Sequence, residues 1–386
     1  CLVFCLPEEP LLAEVIIIGG GIAGCTTAFY LAKDGVDVLL LEQSELNSSS
    51  SGSNAGSLHA QIQQEPFLEM GEEWARSFAP TLPLFAESIQ LWCSAGEMLD
   101  VDLEVVQGGG ILVATSDKEM RLIEAKARIE NSAGLQMELL NRSDLLSKAP
   151  YISSEMVGGV FCSIEGKANP LIAAPAFAKV AEKEGAKILC GETVTGINKN
   201  GTSYEVVTSK NKHHAERIVN AAGIGAGRIA SFIGISVEIQ AFPIQLSVTE
   251  PVESLFPHLI YSARDMLTMK QTQNGTIVIG GGWLARVDER GRPQVSAESL
   301  SRNLAVALQV IPSIAHINIV RTWAATVNGT KNWKPILGEI PGQPGFFMNY
   351  IPWMGFTGAP AGSYIVANLV QGKTPQVNFD LSYFAP

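Results

Sequence analysis

The pattern of apolar and polar positions near the start of the chain predicts a strand, a helix and a second strand in succession. Residues 15–18 form a β-branched apolar run, which is typical of a buried strand. Residues 22–33 have helix-like spacing with small packing positions, and Gly35 ends the helix. Residues 36–41 form a second apolar run, which ends at Glu42. This order predicts the βαβ unit of a parallel sheet.

Three glycines stand between the first strand and the helix with the spacing G-x-G-x-x-G, at Gly19, Gly21 and Gly24. In such a unit the first permits a tight turn, the second lets a pyrophosphate approach the backbone, and the third lets the helix pack closely. The helix N-terminus favours the phosphates, and Glu42 can accept hydrogen bonds from an adenosine ribose. The pattern predicts dinucleotide binding rather than a purely structural turn, and by itself it does not distinguish FAD from NAD.

Beyond this unit, helical and strand-like stretches follow one another without an internal repeat. Helices are predicted at 66–99, 117–133, 143–147, 171–184, 224–233 and 296–310, with a last helix ending at Val370. Strands are predicted at 110–114, 157–161, 186–189, 192–197, 204–208, 239–249, 267–271, 276–280 and 345–349. A chain of 386 residues is long enough for two domains.

Three segments rich in small residues follow predicted strands. Residues 43–57 leave the carboxyl end of the second strand, where open α/β sheets bind ligands, so we expect a cofactor loop rather than a flexible linker. Residues 220–223 read Asn-Ala-Ala-Gly, which predicts either a tight turn or a second contact with the dinucleotide. Residues 352–362 form a glycine-rich turn into the last helix, whose N-terminus would favour an anion.

Composition restricts the partners of the chain. A hydrophobic content of 46% with 17% charged residues predicts a folded globular protein. The net charge of −11, with no cluster of lysine and arginine, argues against a nucleic-acid surface. No apolar run reaches the length of a membrane span, and the apolar stretch 1–12 has no basic region, so neither a span nor a secretory signal is expected.

The cysteines predict neither a disulfide framework nor a metal site. None of the six forms a C-x-x-C pair, and no histidine stands at zinc spacing from them: Cys1, Cys5, Cys25, Cys93, Cys162 and Cys190. Isolated cysteines with apolar neighbours are typical of small buried residues in a reducing compartment. We therefore expect no metal, and a cytoplasmic location or attachment to a membrane through a partner.

Taken in this order, the motifs resemble the D-amino-acid-oxidase-like flavoproteins, a family that includes glycine oxidase, sarcosine oxidase and the flavin subunits of multi-subunit opine and hydroxyproline dehydrogenases. The resemblance covers nearly the whole chain, from about residue 15 to residue 372. It is carried by the glycine fingerprint with Glu42, by Ser50-Ser51 and Asn54-Ala55-Gly56-Ser57, by Val194, by Asn220-Ala221-Ala222-Gly223, by Arg321-Thr322-Trp323-Ala324 and by Gly355-Phe356-Thr357-Gly358-Ala359-Pro360. Residues 54–59 are most similar to the multi-subunit dehydrogenases.

The resemblance implies FAD as the cofactor. The residues that would hold it are Gly19, Gly21, Ile22, Ala23, Gly24, Glu42, Gln43, Ser50, Ser51, Asn54, Ala55, Gly56, Ser57, Val194, Ala222, Gly223, Gly355, Phe356 and Thr357. The usual covalent attachments are missing, because no cysteine follows Cys190 and no histidine precedes Ala55 directly. The expected cofactor is therefore non-covalent FAD.

The substrate side departs from the glycine-oxidase pattern. The two arginine positions that hold a substrate carboxylate there are occupied by Val327 and Trp353, and the expected tyrosine position by Leu267 or a neighbour. A small free α-amino acid held by that clamp is therefore not expected. The candidate catalytic residues are His59, Trp353, Met354 and Lys334. Each has a plainer alternative: a loop histidine, packing side chains and a solvated lysine.

The resemblance implies an α/β fold: a Rossmann-like, glutathione-reductase-like FAD domain from residues 13–85, 160–236 and 320–386, and a discontinuous α+β substrate domain from 86–159 and 237–319, built on a mainly antiparallel sheet. The expected reaction is oxidation of a C–N bond in an amino acid, imino acid or N-substituted amino acid by hydride transfer to flavin N5. A partner subunit carrying FAD or an iron–sulfur centre is expected. The alternatives are a stand-alone amine oxidase that uses oxygen and an electron-transfer subunit without substrate chemistry.

Overall fold

A computed structural model describes residues 11–386 of the chain. The apolar opening segment, with Cys1 and Cys5, falls almost entirely outside the described residues. In chain order the strands are β1 (Leu12–Ile18), β2 (Val38–Glu42), β3 (Ser57–Leu58), β4 (Gly110–Ala114), β5 (Met137–Asn141), β6 (Gly158–Cys162), β7 (Gly166–Lys167), β8 (Lys187–Cys190), β9 (Val194–Asn200), β10 (Ser203–Thr208), β11 (Lys212–Asn220), β12 (Gln240–Thr249), β13 (Leu259–Ser262), β14 (Thr268–Gln271), β15 (Ile277–Gly280), β16 (Arg286–Val287), β17 (Pro293–Gln294), β18 (Ile319–Gly329), β19 (Ile336–Glu339) and β20 (Phe346–Tyr350).

The helices between residues 11 and 386 pack against both of the large sheets described below. In chain order they are α1 (Ile22–Lys33), α2 (Ser50–Ser53), α3 (Gln64–Phe78), α4 (Leu82–Leu99), α5 (Asp117–Ser132), α6 (Arg142–Lys148), α7 (Pro170–Lys183), α8 (Ala226–Ser231), α9 (Ala297–Val310) and α10 (Gly355–Val370). Helix α1 packs against α7 and α10, and α10 packs against α4. None of these helices combines the length and the apolar character that a membrane crossing requires.

The first sheet contains the predicted βαβ unit. Its main strand order is β19-β20-β11-β1-β2-β8, and β10 and β9 extend it from β11. Strand β1 lies at the centre because residues 15–18 are almost completely buried on both faces, as a parallel sheet covered by other elements requires. It pairs in parallel with β2 and β11, so the turns after these three strands meet at one edge. The predicted cofactor motifs at residues 19–24, 42–57 and 220–223 lie on those turns.

The second sheet has the order β18-β12-β15-β14-β13-β4-β6-β5. Every neighbouring pair in it is antiparallel except β4 and β13. The expectation of a mixed α/β fold with a mainly antiparallel second sheet is therefore confirmed. Strands β6 and β18 lie in this sheet, although the expected ranges 160–236 and 320–386 assign most of their residues to the cofactor domain. The division into domains remains a prediction. By their place in the second sheet, β6 and β18 belong with the strands expected for the substrate domain.

Local sequence features account for the differences from the predicted elements. The single helix expected over 66–99 is divided into α3 and α4, because Pro80 and Pro83 cannot donate within a helix, and α3 is itself kinked at Gly71 with φ of 78°. The one-turn helix α2 lies in the predicted loop 43–57. Strands β5 and β13 are not predicted, since short apolar runs do not distinguish a strand from a buried helix.

Candidate active site

Two of the three fingerprint glycines are required by backbone packing. Gly19 has φ of +114°, and a Cβ there would lie 2.5 Å from the carbonyl oxygen of Ala221. A Cβ on Gly24 would lie 1.9 Å from the carbonyl oxygen of Gly19. These contacts bring β1, α1 and the end of β11 together, which is the role predicted for the first and third positions of the motif.

Gly21 has a different environment, which suits a phosphate. A Cβ at this position would lie 2.8 Å from the hydroxyl of Ser51, which accepts a hydrogen bond of 2.9 Å from the N–H of Ile22. Gly21 precedes α1 and offers no capping side chain, so the start of the helix is open to an anion. The cradle formed by the missing side chain and the helix start fits the pyrophosphate of a dinucleotide.

Glu42 anchors the turn at the carboxyl end of β2. Its Oε2 accepts a hydrogen bond of 2.7 Å from the N–H of Gly20, and its Oε1 accepts one of 2.8 Å from the N–H of Ser44. The carboxylate therefore connects the glycine turn to the loop that follows β2. Its remaining acceptor positions fit the hydroxyls of a ribose.

A cavity of about 390 Å³ connects these groups and is called the dinucleotide cavity below. Its wall includes most of the residues that the resemblance assigns to the cofactor: Gly19, Gly21, Ile22, Ala23, Glu42, Gln43, Ser50, Ser51, Asn54, Val194, Ala222, Gly223, Gly355 and Phe356. Gly24 is absent from the wall because it packs against the backbone of Gly19. Gly56 is also absent, since its missing Cβ makes room for the carbonyl of Ala168 at 2.2 Å.

A second cavity of about 370 Å³ lies beside the first and is called the reaction cavity below. The wall between the two is shared, because five residues line both: Ser50, Asn54, Val327, Trp353 and Phe356. Ala55, Ser57 and Thr357, predicted to reach the flavin, line the reaction cavity but not the dinucleotide cavity, together with His59 and Met354. Three of the four candidate catalytic residues are therefore brought together here.

Lys334 does not join them. It lines neither cavity, and its N–H donates a hydrogen bond of 3.1 Å to Oδ1 of Asn332 in the turn after β18. A catalytic role for Lys334 remains a prediction that this arrangement does not favour. The plainer alternative, a partly solvated lysine, fits its position better.

Trp353, in the shared wall, has a strained backbone conformation. Its φ is 53°, in the left-handed region that a bulky residue rarely adopts. The conformation is held by a hydrogen bond of 2.9 Å from its N–H to the carbonyl of Asn328. The indole also packs edge-on against Trp333, with ring centroids 5.6 Å apart. An aromatic wall at the junction of the two cavities is thus part of the folded structure.

His59 lies in the reaction cavity and is held by two hydrogen bonds. Its backbone N–H donates to Oγ1 of Thr357 at 3.0 Å, and Nδ1 of its imidazole lies 2.7 Å from the hydroxyl of Tyr261. Burial, with the nearby charge of Lys270, lowers the pKa of His59 from 6.5 to about 3. The imidazole is therefore neutral at physiological pH.

The hydroxyl of Tyr261 is also bonded to a buried carboxylate. It donates to Oε2 of Glu165 at 3.0 Å. Glu165 accepts further hydrogen bonds from the N–H groups of Ala60, at 2.7 Å, and Gln61, at 2.9 Å, and from Nε2 of Gln61, at 2.9 Å. Burial raises the pKa of Glu165 above its ordinary value, although these donors oppose the shift.

A buried lysine supports the cofactor loop from the second sheet. Nζ of Lys270 donates a hydrogen bond of 2.7 Å to the hydroxyl of Ser57. The carbonyl of Ser57 in turn accepts a bond of 3.2 Å from Oγ1 of Thr357. Burial, with the nearby charge of Lys167, lowers the pKa of Lys270 well below its ordinary value. Strand β14 is thus connected to the start of α10 through three polar side chains.

Charged side chains of both signs line the reaction cavity. Glu65 and Glu69 come from α3, Arg264 and Asp265 from the turn after β13, and Arg302 from α9. Val327, Trp353 and Leu267, where the resemblance leads one to expect the two arginines and the tyrosine, also line it. The arginines that do reach the cavity come instead from the second half of the chain.

A third cavity, of about 310 Å³, also uses the loop after β2. Gly52, Ser53, Asn54 and Ala55 form part of its wall, which also includes three basic side chains and one acid: Lys167, Lys270, Arg321 and Glu104. The indole N–H of Trp323 donates a hydrogen bond of 2.8 Å to the carbonyl of Ser53, which attaches β18 to the loop. Among residues 11–386, no three His, Cys, Asp or Glu side chains are grouped to hold a metal.

Sequence reasoning missed Tyr261, Glu165 and Lys270. Each is a polar residue at a buried position, and its partners are distant in the chain: Tyr261 is 202 residues from His59 and 96 residues from Glu165. Tyr261 lies on a strand that was not predicted. The one available signal was Lys270, a charge inside a predicted strand with apolar neighbours.

Comparisons with known proteins agree with this geometry. A subunit of opine oxidase from Rhizobium meliloti is 27% identical over 381 residues, which cover 96% of each chain. Glycine oxidase of Geobacillus kaustophilus is 25% identical over 381 residues, again 96% of each chain. The crystal structure of L-proline dehydrogenase from P. horikoshii has a TM-score of 0.85 at 25% identity, covering 98% of this chain and 97% of that one.

The family comparison covers most of the chain. The family model described as "FAD dependent oxidoreductase", DAO, matches residues 14–369, which include the glycine fingerprint, both cavities and nearly all of α10. The cradle at Gly21, the carboxylate at the end of β2 and the extended dinucleotide cavity fit FAD. The chain therefore belongs to the DAO family of FAD-dependent oxidoreductases.

Proposed function

We propose that this FAD-dependent amino-acid oxidoreductase oxidises a C–N bond of an amino acid, imino acid or N-substituted amino acid, with hydride transfer to N5 of the flavin, as a subunit of a dehydrogenase complex. The observation that carries the proposal is the shared wall of the two cavities, where Trp353 and Phe356 border both. A dinucleotide in the first cavity would reach that wall with its reactive end. A substrate in the second would meet it there.

The residues that would hold FAD divide into three groups along the cavity. Gly21, Ser51 and the start of α1 would bind the pyrophosphate, and Glu42 would bind the ribose. The N-terminal end of α10, at residues 354–357, would lie along the flavin, where its dipole favours negative charge. Bound FAD supplies the hydride acceptor, and the protein orients the substrate and excludes water.

The reaction cavity suits an uncharged amine with charged groups elsewhere in the substrate. The shared wall offers the apolar and aromatic side chains of Val327, Trp353 and Phe356 beside the polar Ser50 and Asn54, and the neutral His59 also lines this cavity. The arginines and acids of this cavity lie on the parts contributed by α3, α9 and the turn after β13. A substrate with a carboxylate beyond the reacting carbon, such as an N-substituted amino acid, matches this distribution better than glycine does.

A partner subunit is proposed as the electron acceptor. Two of the relatives are named as single subunits of larger enzymes, of opine oxidase in Rhizobium meliloti and of sarcosine oxidase in Arthrobacter. No C-x-x-C pair and no second nucleotide fingerprint within this sequence would take electrons from the flavin. We propose that the partner carries FAD or an iron–sulfur centre.

The experiment is anaerobic bleaching of the flavin by a panel of amino acids, N-alkyl amino acids, opines and prolines, followed by re-oxidation in air. Reduction by one class of amine with slow re-oxidation in air, and rapid re-oxidation by an artificial dye, is expected. Rapid re-oxidation with stoichiometric peroxide from a single-chain species would instead indicate a stand-alone oxidase. No bleaching by any amine, with reduction only through a partner, would indicate an electron-transfer subunit.

A further inference from the structure

We infer that His59, Tyr261 and Glu165 form a directional proton relay that removes the proton of a substrate ammonium group before oxidation of its C–N bond. The inference rests on the proposed function, because it concerns an amine substrate in the reaction cavity. His59 is the catalytic residue in contact with the substrate. Tyr261 and Glu165 are positioning residues that act through it.

The hydrogen-bond partners of Glu165 determine the direction of the relay. All four groups that contact its carboxylate are donors: two backbone N–H groups, the amide Nε2 of Gln61 and the hydroxyl of Tyr261. A carboxylate that only accepts is satisfied by these partners when it is ionised. The hydroxyl hydrogen of Tyr261 therefore points to Glu165, and its oxygen is left to accept from His59.

This arrangement selects one tautomer of His59. Since the Tyr261 oxygen accepts at 2.7 Å, the hydrogen of the neutral imidazole lies on Nδ1. Nε2 then carries a lone pair and has no hydrogen-bond partner among residues 11–386. Because His59 lines the reaction cavity, Nε2 is the basic atom that it offers to a substrate.

The proton cannot remain on His59, and the relay provides another acceptor. The substrate N–H bond breaks as Nε2 of His59 gains the proton, the Nδ1 proton passes to the Tyr261 oxygen, and the Tyr261 proton passes to Oε2 of Glu165. The amine, the imidazole and the phenol all end neutral, and the carboxylate becomes a carboxylic acid. The raised pKa of Glu165 and the lowered pKa of His59 favour this end state over a stored imidazolium.

The backbone of β4 leaves space for the carboxylate of Glu165. A Cβ on Gly110 would lie 1.9 Å from Oε2 of Glu165, so the glycine in β4 makes room for it. Strand β13 places Tyr261 beside β4, in register with Leu112. Glycine at this point is needed for the carboxylate to reach the hydroxyl.

Other charged and titratable groups surround the relay on several elements. Lys270 of β14 lies close enough to His59 to oppose an imidazolium. From α5, Lys126 contacts Gln61 with Nζ and Oε1 3.3 Å apart and pairs with Glu130 at 2.6 Å, while Cys162 of β6 also lies near the network.

The first test is nuclear magnetic resonance of the FAD-loaded protein with 15N-labelled histidine, and His59→Asn identifies the signal. The wild type is expected to show neutral His59 with its proton on Nδ1 from pH 5 to pH 8. In Glu165→Gln the amide donates to Tyr261, which must turn its hydrogen to His59, so the proton is expected on Nε2. Tyr151→Phe is the matched control, because Tyr151 pairs with His258 away from both cavities and should leave His59 unchanged.

The second test is the pH profile of anaerobic flavin reduction by the best amine of the panel. In Tyr261→Phe and in Glu165→Gln the rate at pH 7 is expected to fall about hundredfold and to recover toward high pH, where the free amine is abundant. Tyr151→Phe should keep the wild-type profile. Uniform slowing at all pH values, or His59 protonated on Nε2 or charged in the wild type, would overturn the relay. If no amine reduces the wild type, the proposed function fails, and the histidine spectra still decide whether the relay exists.

Discussion

The backbone N–H of Gly20 donates a hydrogen bond of 2.7 Å to Oε2 of Glu42. The two residues lie at the ends of neighbouring parallel strands, so the carboxylate fixes the glycine turn while its other positions remain available for a ribose. Glu42 therefore fixes the turn, and its role toward the cofactor is the prediction that follows from its free acceptor positions. This prediction can be tested by removing the carboxylate.

Replacement of Glu42 by alanine is expected to weaken FAD binding about ten- to hundredfold, because hydrogen bonds to a charged acceptor contribute about 1.5–3 kcal/mol. The dissociation constant is measured by quenching of flavin fluorescence. Glu45→Ala is the matched control, since Glu45 lies three residues later and is exposed. Equal affinities for the two variants would contradict the assignment of Glu42.

The purified protein is expected to be yellow because it binds FAD, and acid is expected to release the FAD. Acid precipitation should leave FAD in the supernatant, as judged by chromatography, and flavin retained on the polypeptide would exclude non-covalent binding. Gly21→Val should yield a folded protein with little FAD, because the new side chain fills the cradle against Ser51. Gly196→Val is the control, since a Cβ there meets only Val207 at 3.9 Å.

The pKa of His59 predicts a loss of stability in acid. Because the folded pKa of about 3 lies below the unfolded value, the unfolded chain binds more protons once the pH falls below about 6.5. The free energy of unfolding should then fall toward pH 3 by up to about 1.4 kcal/mol per pH unit from this group, with no contribution above about pH 7.5. His258 acts in the same direction, since burial lowers its pKa too.

Urea unfolding of the FAD-saturated protein at pH 7.5 and pH 5.5 measures the effect. His59→Asn should show a smaller difference between the two conditions than the wild type does. His316→Asn, at an exposed position, should behave as the wild type. An unchanged difference in His59→Asn would show that the folded state accommodates a charged imidazole.

Lys270 is expected to lower the free energy of unfolding and to support flavin reduction. Its side chain is buried, its bonded partner is the hydroxyl of Ser57, and its folded pKa lies well below that of the unfolded chain. At pH 7 the unfolded state therefore binds its proton more tightly, and Lys270→Met should raise the free energy of unfolding by about 1 kcal/mol. Flavin reduction should fall about tenfold as the Ser57 loop loses its support. Lys118→Met, at an exposed site on α5, should change neither quantity.

Local sequence patterns were sufficient for the parts of the site that lie within about thirty residues of one another. Gly19, Gly21, Gly24 and Glu42 could be predicted because strand, turn, helix and strand each leave their own pattern. Tyr261 could not, because it meets His59 only after β13 has paired in parallel with β4, and Glu165 joins this network only through Tyr261 and the segment of Ala60 and Gln61. A parallel pair between strands about 150 residues apart leaves no local signal. The polar residues it buries then resemble ordinary surface positions in the sequence.

The position of Asn54 has a consequence for ligand binding. This one residue lies in the walls of the dinucleotide cavity, the reaction cavity and the third cavity. Its amide donates to the carbonyls of Ser50 and Ser51, and its Oδ1 accepts from the N–H of Gly56. A ligand that shifts this loop in any one cavity alters the loop in the other two, and thermodynamic linkage requires each effect to be reciprocal. A ligand in the third cavity would change the affinity of the protein for the cofactor by a certain factor. The cofactor would change the affinity for that ligand by the same factor.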